Sequence, residues 1–152
     1  MVKTMQLNHY LSFKGQTEAA FNFYKTAFGG EFSLLKRYGE IPTEHALSAQ
    51  ERDYILHVSL PINEYTVLMG SDYTEALCTQ KNIQLVQGNN HHISINLTAS
   101  EEAEAHRLFA VLSQGGQIEI ALEQTFWGAL YASFIDQFGI HWMINCQLNV
   151  AE

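Results

Sequence analysis

Apolar and polar positions along this chain change rhythm twice, in the same order each time. Residues 9–13 read His-Tyr-Leu-Ser-Phe and residues 91–95 read His-His-Ile-Ser-Ile. Both alternate as a half-buried strand does. A polar turn follows each, then an acidic, alanine-rich stretch of helical period. Over residues 17–28, Ala20, Phe23, Tyr24 and Ala27 fall on one predicted face; over residues 100–114, Ala105, Leu108, Phe109 and Leu112 do so. Ser100, ahead of acidic residues, is the predicted N-cap of the second helix. Each helical stretch ends in a glycine pair, Gly29 with Gly30 and Gly115 with Gly116. Glycine suits that place because the chain leaves a helix through a positive φ. Strands are predicted next over residues 31–38 and 117–122. Two more strands close each half, over 54–60 and 65–70 and over 129–135 and 140–147. Residues 61–64 and 136–139 make the turns. Residues 39–53 read as a polar loop.

The repeat defines the expected organisation. One α+β domain over residues 1–152 holds module one at about 8–70, a linker at about 72–90 and module two at about 91–147. The expected architecture is paired βαβββ modules forming a curved mixed sheet with a concave cleft suited to a small molecule. Apolar residues make up 47% of the 152, enough for a sizeable core. Sixteen acidic residues against eight basic ones give a formal charge of -8, which argues against nucleic-acid binding. No stretch approaches the roughly 18 apolar residues of a membrane span, and residues 1–7 lack a signal-peptide core. The expected location is cytoplasmic. Cys78 and Cys146 form no paired zinc motif. Cys146 sits in an apolar run and reads as a small core residue, Cys78 in a polar stretch. A reducing compartment argues against a disulfide between them.

The closing stretches Gln124-Thr-Phe-Trp-Gly128, Asp136-Gln-Phe-Gly139 and Trp142-Met-Ile-Asn-Cys146 form one pattern. Tyr10-Leu-Ser-Phe13 and the Phe-Tyr and Phe-Gly-Gly steps of residues 20–30 form another. Together they resemble the PhnB-like branch of the vicinal oxygen chelate superfamily, which includes glyoxalase I, bleomycin-resistance proteins and extradiol dioxygenases. The resemblance covers about residues 8–147 and implies paired modules, a small-molecule cleft and a homodimer. Some relatives carry a ubiquinone-methyltransferase label. Methyl transfer finds no support here, because no glycine-rich loop follows a first strand in a dinucleotide-type βα unit.

Metal-dependent members of that superfamily hold one divalent cation with four side chains from the first and last strands of each module. The metal then acts as a Lewis acid on a substrate with vicinal oxygens. Carried over to this chain, the resemblance implies His57 as a ligand, on residues 55–59 taken as the last strand of module one. His92 is implied on the first strand of module two. Alternation groups His57 with Ile55 and Ser59, and His92 with Ser94 and Asn96. The first strand offers Asn8 if Leu11 and Phe13 face the helix, with His9 out of phase and buried; a different gap offers His9. His91 points away from His92, as strand neighbours do. On the final strand Met143 stands where glutamate is expected, with His141 and Asn145 on its face. Tyr10, Trp127, His141, Met143 and Asn145 are the candidate cleft residues. Phe126 and Trp127 read as cleft wall or interface, and Glu101, Glu102 and Glu104 as a solvated helix face.

Two functions fit. One is metal-assisted lyase, isomerase or dioxygenase chemistry using zinc, nickel, iron or manganese. The other is non-catalytic small-molecule binding without a metal, as in bleomycin-resistance proteins. The missing glutamate favours the second, or a degenerate form of the first. No nucleophile motif appears, and no catalytic residue is assigned.

Overall fold

The computed structural model describes residues 6–42, 46–74 and 92–148. The chain divides into two compact units, Met1–Leu85 and Val86–Glu152. The first unit runs β1 (Tyr10–Phe13), α1 (Thr17–Phe28), β2 (Leu34–Arg37), a 3-10 turn (Tyr38–Glu40), α2 (Ala49–Asp53), β3 (Ile55–Pro61) and β4 (Val67–Asp72). The second runs β5 (Ile93–Leu97), a 3-10 turn (Ala99–Glu101), α3 (Glu102–Leu112), β6 (Gln117–Gln124), β7 (Ala129–Ile135) and β8 (His141–Gln147). Both follow the expected βαβββ order.

The strands pair into two four-stranded sheets, ordered β1-β4-β3-β2 and β5-β8-β7-β6. The expectation of one continuous sheet is corrected on this point: each described strand finds its partners within its own unit. In both sheets the first strand lies parallel to the last, and the other pairs are antiparallel.

Alternation explains the first core. Leu11 and Phe13 of β1, Val58 and Leu60 of β3, and Leu68 of β4 are buried together with Ala20, Phe21, Tyr24 and Ala27 of α1. Phe21 takes the place expected of Phe23, which is half-buried. At about 100° per residue, positions 17, 20, 21, 24 and 27 form one stripe and 23 flanks it. Gly70 of β4 admits the Phe21 ring: an added Cβ would lie 2.6 Å from Phe21 Cε2 and 2.9 Å from the Leu11 carbonyl oxygen.

A buried carboxylate organises the end of that sheet. Asp72 Oδ1 accepts from Gly15 N, Thr17 N and Thr17 Oγ1 at 2.9, 3.1 and 2.7 Å, and Oδ2 accepts from Ile55 N at 2.8 Å. Thr17 N is an orphan donor of the first helical turn, so the aspartate caps α1 from outside the helix.

The second core joins Ala105, Leu108 and Leu112 of α3 to Ala132, Phe134, Trp142, Ile144 and Cys146 of β7 and β8. Asp136 supports the hairpin between those strands. Its Oδ1 accepts from Phe138 N and Ile140 N, and its Oδ2 accepts from Trp142 Nε1 at 2.8 Å. Gly139 closes the turn at φ 88°.

Several boundaries differ from expectation. Residues 48–53 are not loop: Ser48 Oγ accepts from Glu51 N, and the Glu51 carboxylate accepts from Ser48 N, which starts α2. α3 is introduced by Thr98, not Ser100; the Glu101 carboxylate accepts from both Thr98 N and Thr98 Oγ1. β4 begins at Val67 because Asn63 Oδ1 accepts from Tyr65 N and Thr66 N and extends the preceding turn. Gly29, Gly30 and Gly115 have the expected positive φ. Gly116 is needed for space instead, since an added Cβ would fall 2.0 Å from the Ile135 carbonyl oxygen. No helix among the described residues is long and apolar enough to cross a membrane. The expected linker lies outside the described residues from 75 onward, as do Cys78 and His91.

Candidate functional site

Among the described residues each sheet has one face under its helix and one face without a helix, and the polar candidates collect on the latter. In the first unit the register puts Tyr10 beside Met69, Met69 beside Ser59, and His57 beside Lys36. His57 Nδ1 lies 3.1 Å from Tyr10 Oη, and His57 Nε2 lies 2.8 Å from Ser59 Oγ. Ile55 does not share this face as alternation predicts. A register shift between Lys36 and Arg37 turns it into the core, where it is fully buried.

His57 sits on β3, and β4 is the closing strand of the unit, so the placement of His57 on the last strand is corrected. β4 presents Met69. The equivalence with the second unit is exact in register: Tyr10 pairs with Met69 as Ser94 pairs with Met143. Both closing strands therefore offer a thioether at this position. Two residues before Tyr10 stands Asn8, and two before Ser94 stands His92. Asn8, not His9, is thus the counterpart of His92. Asn8 Oδ1 accepts from Val67 N at 3.1 Å. His9 is exposed, not buried as expected, because it precedes the first paired residue of β1; its carbonyl accepts from Met69 N.

In the second unit His92, Ser94 and Asn96 share the exposed face of the β5 stretch, as alternation requires. His141, Met143 and Asn145 of β8 face the same way, opposite buried Trp142, Ile144 and Cys146. Ile93 pairs with Trp142, so His92 and His141 are neighbours; their ring centroids are 4.9 Å apart, edge to face. Both ring nitrogens of His141 are buried and have no hydrogen-bond partner among the described residues. Tyr131 and Ser133 of β7 stand beside Asn145 and Met143. Ser133 Oγ donates to Glu119 at 3.0 Å, and Trp127 packs edge-on against Tyr131 at 5.8 Å. Phe126, which packs on Trp127, is 97% exposed. Tyr131, Ser133, Glu119 and Ser59 were not singled out from the sequence. Ser59 shares the alternation of His57, whereas Glu119 and Ser133 are joined only by strand pairing.

Among the described residues no three His, Cys, Asp or Glu side chains come together as a metal site. Two adjacent imidazoles with a thioether supply neither the carboxylate nor the charge of the implied four-ligand centre. The residues do not fit that centre as they stand.

A cavity of about 780 Å³ in the first unit is lined by Gly15, Glu18, Arg37, Asp53, Tyr54 and Asp72 among others. Three of its charged groups have partners: Arg37 pairs with Glu18, and Asp72 with the amides at the start of α1. The Glu18 hydrogen bond raises the Arg37 pKa against a smaller opposing effect of burial. Burial pushes the Tyr38 phenol up, helped by Asp72, whose carbonyl oxygen accepts from it at 2.8 Å. Cys146 is a free, buried thiol 3.2 Å from the Thr98 carbonyl oxygen, as a small core residue would be. Burial raises its pKa first, then Glu102 and Glu101, so it is a poor nucleophile.

Paired βαβββ units with polar, helix-free sheet faces define a class that comparison with known proteins matches. The chain belongs to the Glyoxalase/Bleomycin resistance protein/Dioxygenase superfamily, whose family model matches residues 6–144. It is similar to Protein YjdN of Escherichia coli, at 28% identity over 149 residues, covering 93% of this chain and 95% of that protein. The crystal structure of protein PA1353 from Pseudomonas aeruginosa superposes with a TM-score of 0.79 at 32% identity, covering 95% of this chain and 99% of that one. A PhnB protein from Bacillus cereus, described as a putative 3-demethylubiquinone-9 3-methyltransferase, superposes with a TM-score of 0.67 at 20% identity, covering 93% and 99%. At that identity the last comparison speaks for the fold alone.

Proposed function

We propose that the chain is a small-molecule binding protein that takes its ligand on the helix-free face of the second sheet without needing a metal. The observation that carries this reading is His141. A neutral imidazole has one donor and one acceptor nitrogen. Leaving such groups buried without partners costs about 1–3 kcal/mol each, and a ligand that pairs with them recovers that cost. Asn145 and Ser133 add further polar contacts, and Trp127 on Tyr131 adds an apolar wall. The test is calorimetric titration with a panel of small vicinal diols, 2-hydroxy acids and catechols. At least one should bind, and His141→Phe should weaken it about tenfold, the equivalent of roughly 1.4 kcal/mol. Binding untouched by both His141→Phe and Tyr131→Phe would overturn the reading.

A second reading keeps metal-assisted lyase, isomerase or dioxygenase chemistry, because His92 and His141 lie side by side. Imidazole suits zinc, nickel and iron. With Met143 in place of a carboxylate, wild-type affinity should be weak and Met143→Glu should raise it. Calorimetry with zinc and nickel measures both. Tight binding that survives His92→Ala and His141→Ala would place the metal elsewhere. The same titration of Asn8→Ala, His9→Ala and His57→Ala asks whether the first-unit candidates contribute.

The protein is further proposed to act as a homodimer. Edge strand β6 exposes Ile118 and Ile120, and Phe126 and Trp127 follow it. Exposed edges and apolar surface of this kind are ordinarily covered.

A further inference from the structure

Ser59, His57 and Tyr10 form an unbroken hydrogen-bonded chain on the helix-free face of the first sheet. Ser59 Oγ is 2.8 Å from His57 Nε2, and Tyr10 Oη is 3.1 Å from His57 Nδ1. A hydroxyl within 2.6–3.2 Å of a base, with that base oriented by a third group, is the general signature of an activated nucleophile. When the Ser59 hydroxyl donates to Nε2, Nδ1 carries the ring proton and donates to the Tyr10 oxygen. That arrangement leaves Nε2 as the basic atom. Tyr10 is 47% exposed, so its own hydroxyl can face water. Ser59 is largely buried, at 9% exposed, and shares this face with the exposed Tyr10 and Lys36, the side from which a small reagent would approach it. Lys36 stands directly across from His57 in the strand register and brings a cation to this face.

We propose that Ser59 is a base-activated nucleophile toward small activated esters, with His57 as the base and Tyr10 as a positioning residue. Ser59 Oγ bonds to the ester carbonyl carbon while its proton moves to His57 Nε2. Lys36 offsets the charge that develops on the carbonyl oxygen. The carbon–oxygen bond to the leaving alcohol then breaks, and that oxygen takes the proton from Nε2. Water repeats the sequence on the acyl-serine: its proton goes to Nε2, its oxygen bonds to the acyl carbon, and the proton returns to Ser59 as the acyl–Oγ bond breaks. The sum is ester plus water to acid plus alcohol. This proposal goes beyond ligand binding by the second unit and uses none of its residues, so the two stand or fall separately.

An alkyl fluorophosphonate tests the nucleophile directly, since attack on phosphorus expels fluoride and leaves a covalent mark. Wild-type protein should gain one adduct, mapped to Ser59 by tandem mass spectrometry. Ser59→Ala should lose it, and His57→Gln should form it at least about 100-fold more slowly, as expected when a general base is removed. Tyr10→Phe should slow 4-nitrophenyl acetate turnover through kcat and leave KM unchanged, a split that loss of fold would not produce. Circular dichroism of each variant checks folding. No adduct on wild type, adducts only on tyrosine or lysine, or labelling unchanged by His57→Gln would overturn the proposal.

Discussion

Asp72 accepts four hydrogen bonds while 2% exposed, and its register partner is Phe13. The equivalent position in the second unit, opposite Leu97, is held by Cys146. One place in the repeat therefore carries a carboxylate in one copy and a thiol in the other. Each reaches the chain that enters its helix: Asp72 the amides of Gly15 and Thr17, Cys146 the carbonyl of Thr98. Asp72→Ala would orphan Gly15 N, Thr17 N and Ile55 N together. Stability should fall by about 3 kcal/mol, read as a lower urea midpoint at unchanged slope. Thr17→Ser keeps the hydroxyl and should cost much less. Gly70→Ala tests the opposite fault, crowding: its Cβ would meet Phe21 and the Leu11 carbonyl, and the cost should be about 1–3 kcal/mol in the same assay. Nothing around Asp72 in sequence distinguishes it from a linker residue, because its four donors come from segments far away along the chain.

At the level of helices and strands, hydrophobic period marks the elements well, and capping residues decide where two of the helical segments start. α1 begins and ends where its spacing predicts, and β7 occupies the predicted residues. Both missed starts carry the same local signature, Ser48-Ala-Gln-Glu51 and Thr98-Ala-Ser-Glu101. It outcompetes a lone Ser100 because the glutamate reaches back to the first residue. Thr98→Ala removes the hydroxyl that donates to the Glu101 carboxylate and should lower the thermal midpoint near neutral pH. The Thr98 hydrogen bonds, from backbone first and hydroxyl second, hold the Glu101 carboxyl below its usual value of 4.5. A carboxyl lowered on folding stabilises above its unfolded pKa and loses that contribution as pH falls through its folded one. The thermal-stability gap between wild type and Thr98→Ala should therefore narrow on acidification from pH 7 to below 4.5. A gap that stays constant would mean that Thr98 acts through packing. Ser48→Ala should speed amide hydrogen exchange in α2 and leave α1 unchanged. The candidate face was legible in part for the same reason: alternation put His92, His141, Met143 and Asn145 on the side away from the core. It failed at Ile55, where a strand irregularity breaks the count.

For the molecule as a whole, the repeat was legible, and the separation into two sheets was not, since hydrophobic spacing says nothing of which strands pair. The association prediction belongs here. Light scattering at micromolar concentration should return twice the mass of one 17.2 kDa chain. A double Ile118→Lys, Ile120→Lys variant should return the single mass while keeping wild-type circular dichroism; dimers that persist would move the interface away from β6. The parallel pairing of first and last strands has a consequence in time. Tyr10 waits for Met69, and Ile93 waits for Trp142, before either sheet can close. As the chain leaves the ribosome, β1 has no hydrogen-bonding partner until almost all of its unit has been made, whereas α1 and the β3–β4 hairpin need only their near neighbours. Pairing over such distances is the slow step in folding. Pulse-labelling during refolding should find the amides of α1 and α3 protected first and those of β1 and β5 last, with each unit closing on its own clock.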